Sequence, residues 1–304
     1  MTHDASDEQR IPDDGRAQPD GGYATVAGTA APDGERAGPR QVFAVAVTEY
    51  RLAVRSRWAL ALTALFAAFA LGLTTFSGAS VSPEGFERTV ASLAVLAVYL
   101  VPLAALAFGY DAIVGNEEIG WLHALFALPV ARRWVVIGTY LGRAIVLASA
   151  VVIGFGIAGV FLLREFGFAG FEVYVGFLLS TIGLALVFLA IGVLLSTVAA
   201  EKTHALGLAL LAWAWFVLVH DLLALGVTAA FPLPDWAVSL LVLANPAGIF
   251  RALVLGALGA GGDAGFAAIL TEAGLSAPVL TVALVAWIAL PIALAASLIR
   301  RRRL

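Results

Sequence analysis

Two clusters of residues in this chain carry charge where it could do work. The first is the run Asp111, Glu117, Glu118, Trp121, Leu122, Leu125, Phe126, Pro129, Arg132. Acids favour the start of a helix and proline favours its stop, so a short amphipathic helix is expected over 117–128. Such a helix has no reacting centre. It offers an apolar face to another molecule. The second cluster is His220–Asp221, set inside a long apolar stretch behind Trp213, Trp215 and Phe216. Ionisable groups at membrane depth are costly and mark functional positions. This pair is a candidate for a translocation path or for an outer-face contact.

Several chemistries are excluded. There is no cysteine, so disulfides, thiolate metal sites and Cys nucleophiles are ruled out. Copper(I) prefers soft sulfur ligands, and the sole methionine is Met1. His3, His123, His204 and His220 stand apart, with no pair at helical spacing, so no metal site is expected. A phosphate loop needs Gly-Lys-Ser/Thr, yet the single lysine, Lys202, follows Glu201. The chain therefore cannot hydrolyse ATP by itself. His-Glu-x-x-His and Gly-x-Ser-x-Gly are missing as well. No catalytic residue, no cofactor of its own and no nucleic-acid surface is expected.

The elements that must carry these residues are apolar helices. Of 304 residues, 61% are hydrophobic and 13% charged, with a mean hydropathy of +0.95. A soluble domain of this size could not bury that much apolar surface. Six stretches stand out at 58–76, 89–110, 144–163, 173–198, 205–230 and 279–299. Each is about 20 residues, the length that crosses a hydrocarbon core of roughly 30 Å. In lipid the backbone must satisfy itself, so the stretches read as helices. The fold class is all-α: a polytopic membrane protein with six transmembrane helices.

Charge sets the expected orientation. Arg51, Arg55, Arg57, Arg132, Arg133, Arg143, Lys202 and Arg300–Arg303 fall on one side, and Arg88, Arg164 and Arg251 on the other. The positive-inside rule places both termini in the cytoplasm, in the plasma membrane. Residues 231–277 include a seventh apolar run, 237–258, broken by Asn245-Pro246 and Arg251. A crossing there would move Arg300–Arg303 outside, so the segment is read as an outer loop with a helix lying in or dipping into the interface. Ahead of the first span, Phe43, Val47, Tyr50 and Val54 recur at helical spacing, with Arg51 and Arg55 on another face. That is an amphipathic helix along the membrane surface. Arg143 is expected to snorkel to the boundary. Gly154, Gly156 and Gly159 suggest close helix contact, including a dimer seam. Residues 1–40 hold eight acids and four arginines with no apolar period. They read as a disordered acidic tail without the features of a signal peptide, ahead of a membrane domain over 41–303.

The segment 110–143 resembles the permease subunits of ABC-2 type transporters. Their pattern is an acidic pair, Gly-Thr-Leu, a Leu-rich turn, Pro-Val-Ser-Arg and Gly-Lys. This chain has Glu117-Glu118-Ile119-Gly120-Trp121-Leu122, then Leu128-Pro129-Val130-Ala131-Arg132, then Gly138-Thr139. It departs at Trp121 for Thr and at Thr139 for Lys. The run Tyr110–Gly115, with Pro102-Leu103 upstream, is similar to the NosY branch, which serves maturation of nitrous oxide reductase. The resemblance implies a homodimer of permeases on cytoplasmic ATPase subunits that bind ATP, with the 117–128 helix as the coupling helix. Asp111, Glu117, Glu118, Gly120, Leu122, Leu125, Pro129 and Arg132 are the coupling candidates. It also implies an outer partner, a secreted β-helix protein. A sulfur-containing compound, or mechanical work on that partner, fits this sulfur-poor chain better than a bare copper ion. An ABC-2 exporter of a drug, lipid or peptide, or a membrane scaffold for assembly factors, stays open from the sequence.

Overall fold

The computed structural model describes residues 38–76, 83–118, 131–168, 170–259, 269 and 274–300. The acidic tail and most of the expected coupling helix lie outside these residues. Helix α1 (Gly38–Arg55) turns at Ser56 into α2 (Arg57–Phe76). Then come α3 (Pro83–Gly109), the short α4 (Val114–Glu118), α5 (Arg132–Phe166) and α6 (Phe171–Val198). Span five is continuous but changes character. It runs as α7 (Lys202–Ala214), a π-helical turn (Trp215–Val219) and α8 (His220–Ala230). The bent pair α9 (Asp235–Leu243) and α10 (Pro246–Ala257) precedes α11 (Ala277–Leu298). Among the described residues, six helical stretches are long and apolar enough to cross a membrane.

Helix α6 is apolar on every side, which suits a helix surrounded by others. It packs against α3, α5, α7, α10 and α11. Phe177, Leu184, Phe188, Leu189 and Val193 on it are fully buried. The outer helices differ. Only 22% of the apolar window of α2, span five and α11 is buried, against 56% for α3 and α6. Their exposed Leu60, Phe69, Leu211, Leu222, Val282 and Leu290 leave an apolar surface suited to lipid or to another membrane helix.

The spans extend beyond the expected boundaries. Helix α3 starts at Pro83, a residue suited to a first turn. Its added polar turn carries an exposed Glu84–Arg88 pair at i,i+4. Helix α5 starts at Arg132, so Arg132, Arg133 and Arg143 are helical residues and not part of a loop. The ends also show how many times the chain crosses. Ala131, Arg132, Arg133 and Arg300 line one cleft, so the last span returns to the face where α5 begins, the basic face.

The pair α9–α10 does not cross. Its axes bend by 107°. Helix α9 begins five residues after span five ends, and Ala257 at the end of α10 lies beside Gly176, near the start of α6. Both ends thus sit at the far face. The tip, Asn245, reaches inward to Phe216. Of the two placements left open for this segment, the dipping one holds: α9–α10 is a re-entrant hairpin.

Helix α1 is helical as expected, with Phe43, Tyr50 and Val54 exposed on the side open to lipid, and it also has a packed face of Val45, Ala46, Glu49 and Ala53. The cause is close approach to α5. A Cβ at Gly138 would meet Val45 Cβ at 2.6 Å, and one at Gly142 would meet Glu49 Cβ at 2.6 Å and the Ala46 carbonyl at 2.7 Å. Two glycines one turn apart cut a groove for α1, so small side chains face the protein and large apolar ones face outward. Two of the three span-three glycines also work within the chain. Gly154 meets Phe66 of α2, and Gly159 meets the Tyr174 ring of α6.

Gly142→Ala should therefore destabilise the detergent-solubilised protein by about 1–3 kcal/mol, the usual cost of overpacking. Gly156, where an added Cβ would meet nothing within 4 Å, is the control. Gly156→Ala should leave the thermal midpoint unchanged or raise it, since Ala is the better helix former by about 1 kcal/mol.

Candidate functional site

Two polar clusters interrupt the apolar interior, one at each face. The first surrounds Arg143, which α5 presents just above the Gly142 contact. Its Nη1 donates to Asp111 Oδ1 at 2.7 Å and to the Phe108 carbonyl at the end of α3. Its Nε lies 3.8 Å from Glu49 Oε2 on α1. Lys202 Nζ, from the first turn of span five, stands 3.4 Å from Asp111 Oδ2. Asn116 Nδ2 reaches Glu49 Oε1 at 3.5 Å and the Ala112 carbonyl at 2.9 Å. Ser196, near the end of α6, accepts from the backbone N–H groups of Ile113 and Val114 at 2.9 and 3.1 Å. The start of α4 is thus pinned to the central helix.

Asp111 is the first residue past α3 and Tyr110, where the chain leaves the membrane for the segment ending at Arg132. It joins spans two, three and five, and through Arg143 it joins α1. A cleft of about 400 Å³ opens beside this network, between the α1–α2 elbow and the end of α3, with Trp58, Phe108 and Glu49 among its walls. Arg143 is 13% exposed and its guanidinium reaches the end of α3 at Asp111, so it meets protein groups there. Two carboxylates reach it inside the protein, which removes any need for its charge to find water.

Glu49 titrates above the ordinary carboxylate value of 4.5. Burial is the largest cause. The Arg143 charge pulls the other way and does not win, while the Asp111 charge adds to the rise. A raised carboxylate binds its proton more tightly in the folded state. Its contribution to stability is complete below 4.5 and is lost as pH rises through the folded value. The thermal midpoint should fall as pH rises from about 4.5, and Glu49→Gln should remove that part of the fall, as read by thermal melts across pH.

The second cluster lies where the hairpin tip meets span five. The side-chain Nδ2 of Asn245 donates to the Phe216 carbonyl at 2.9 Å and to Asp221 Oδ1 at 3.2 Å, and stands 3.1 Å from His220 Nδ1. Its Oδ1 accepts from the Ala247 N–H at 3.0 Å and caps α10. Arg251, on α10 beyond the tip, pairs with Asp221 Oδ2. Asn245 is fully buried and His220 6% exposed. The local reason for this geometry is the π-helical turn. The N–H of His220, which an unbroken α-helix would give to Phe216, goes to Trp215 instead. The Phe216 carbonyl faces the tip. Below it the Phe216 ring stacks edge-on against Phe188 and Trp287, with centroids at 6.0 and 5.4 Å. Trp287 Nε1 donates to the Leu243 carbonyl at 2.9 Å.

Of the coupling candidates, Asp111 sits in the first cluster and Arg132 opens α5, while Glu117 and Glu118 lie on helical backbone in α4. Gly120, Leu122, Leu125 and Pro129 lie outside the described residues. His220 and Asp221 come together with each other and with the hairpin. Sequence reasoning missed Glu49, Asn116, Lys202, Asn245 and Arg251 as partners. One signal existed. Each cluster holds an acid and a base in or beside apolar stretches, and such charges need each other. Which acid meets which base depends on helix packing, which no spacing reveals.

Residues 43–304 match the family model described as ABC-2 family transporter protein. The ABC transporter permease protein NosY of Stutzerimonas stutzeri is 39% identical over 272 residues, covering 86% of this chain and 99% of that protein. The NosY permease of Pseudomonas aeruginosa is 37% identical over 270 residues, covering 86% and 98%. The matched region begins within α1 and takes in every span and both polar clusters, and on that footing the chain belongs to the ABC-2 transporter family, as a multi-pass membrane permease subunit.

Proposed function

We propose that this permease is driven by a separate cytoplasmic ATPase and that the work serves copper-site assembly of nitrous oxide reductase. The observation that carries the reading is the placement of Asp111. It begins the segment that ends at Arg132 and is bonded to Arg143 and close to Lys202, with Glu49 reached through Arg143. A push that reaches Asp111 passes to three spans and to α1 through these charged contacts. Glu117, Glu118, Gly120, Leu122, Leu125, Pro129 and Arg132 form the surface that meets the ATPase, with the acids leading into a helix whose apolar side enters a groove of the partner. The assembly is a homodimer in the plasma membrane with both termini cytoplasmic, in keeping with the arginine distribution. The second copy packs against apolar surface left open by α2, span five and α11. The chain itself performs no catalysis, and ATP is bound by the partner subunit.

The nitrous oxide reductase role draws on the likeness to two relatives named NosY and on the run Tyr110–Gly115. The far-face hairpin, with His220 and Asp221 beneath it, is the surface for an outer partner such as a secreted β-helix protein. With sulfur ligands missing from every span, the cargo is a sulfur-containing compound or a mechanical displacement, not a bare copper ion.

The test is co-purification with the candidate ATPase and measurement of ATP turnover with and without this chain. Stimulation is expected, and Glu118→Arg combined with Leu125→Asp should return turnover to that of the ATPase alone. Stimulation without any effect on nitrous oxide reductase maturation would instead indicate an exporter of another cargo. No stimulation would indicate a scaffold.

A further inference from the structure

We propose that the hairpin tip is a latch on span five. Asn245 on the π-turn carbonyl and Arg251 on Asp221 hold the far face closed, and both contacts part together when that face opens. Three observations meet here. First, the hairpin is re-entrant, so it can lift out towards the far face without unthreading a span. Second, its tip is held to span five by polar bonds concentrated within Phe216–Asp221: the amide of Asn245 to a carbonyl and a carboxylate, and the guanidinium of Arg251 to the same carboxylate. Polar bonds between charged groups at this depth are strong when made and costly when half-broken, which favours two discrete states over gradual sliding.

Third, the backbone under the tip is a π-helical turn. Because the His220 N–H is committed to Trp215, the Phe216 carbonyl depends on a donor from outside its usual α-helical partner, and Asn245 supplies one. When the hairpin lifts, that donor leaves. The turn then gains by relaxing towards α-helix, returning the His220 N–H to Phe216. Such a relaxation moves the helix by one residue of phase, about 100° of rotation and 1.5 Å of rise. Helix α7 would turn against α8. Since α7 begins at Lys202, beside Asp111, opening at the far face is linked to the charge network at the basic face. This linkage rests on the ATPase reading above for what drives it, whereas the latch itself does not.

The chain has no cysteine, so one introduced thiol reports on one place. Val242, one turn before Asn245 and 1% exposed, is replaced by the slightly smaller cysteine (Val242→Cys). Its reaction with a membrane-impermeant maleimide is followed on the full chain in nanodiscs. Labelling should be slow in this background. Adding Asp221→Asn or Asn245→Leu should speed it about tenfold or more, the factor that roughly 1.4 kcal/mol of lost closing energy produces. The swap Asp221→Arg with Arg251→Asp rebuilds the ion pair but not the acceptor for the Asn245 amide, so it should label more slowly than Asp221→Asn without reaching the parent rate. A cysteine at Val193, fully buried in α6, should stay unreactive in every variant, which separates a lifted hairpin from a collapsed fold.

Equal rates for the parent, Asp221→Asn and Asn245→Leu would overturn the latch, as would a swap that labels as fast as Asp221→Asn. In the complex with the ATPase, ATP turnover should also speed Val242→Cys labelling. A complex that turns over ATP with no change in labelling overturns the link to opening. Failure of the chain to stimulate any ATPase counts against the driving partner alone, because the variant comparison needs no nucleotide.

Discussion

A charge can be held inside this molecule only opposite another charge. The interior is apolar enough that an unpartnered guanidinium or carboxylate would cost several kcal/mol even after relaxation. That constraint explains why ionised groups away from the surface cluster, and why each cluster draws on elements distant in sequence. Glu49, Asp111, Arg143 and Lys202 come from α1, the end of α3, α5 and α7. Asp221 and Arg251 come from span five and the hairpin. In the first cluster Arg143 and Asp111 hold each other at the centre, and in the second the loss of either partner leaves Asp221 or Arg251 without that pair. Ion pairs of this kind add little to stability compared with an apolar replacement. What they supply is a definite arrangement, and with it a definite alternative when they separate.

Span five gives the two clusters a common axis. Its first turn brings Lys202 to Asp111, and its middle brings Phe216, His220 and Asp221 to the hairpin tip. Between them runs helix that touches rather little of the protein, as its exposed Leu210, Leu211 and Trp215 show. Such a helix can turn without tearing a core. The central α6 is the opposite case: with Gly183–Val193 almost wholly buried, it is the fixed post against which the others are placed.

How much of this was legible follows from the physics of each signal. The spans were readable because their length and polarity are set by the bilayer, and each carries its own evidence. The re-entrant segment is half legible: the Arg300–Arg303 cluster argues against a crossing, but the depth of its tip is fixed by Trp287 and Phe216, on other helices. Helix α1 and its outward apolar face are legible in the sequence, but its packed face is not. Periodicity reports that Phe43, Tyr50 and Val54 share a face. It does not report that Gly138 and Gly142, far along the chain, select the opposite face for packing. The acids that meet Arg143 are illegible for the same reason, since they approach from elsewhere. The π-turn left no mark in the residue pattern at all.

That turn has an evolutionary reading. A span with one wide turn holds a residue more than the same length of regular helix, so every side chain beyond it faces a direction that simple helical counting would not assign. His220 and Asp221 point at the hairpin because of this offset. In related permeases, an aligned gap of a single position between the counterparts of Lys202 and His220 would therefore mark chains whose span is regular throughout. Such chains should have lost the asparagine at the hairpin tip as well, because nothing would remain for its amide to serve.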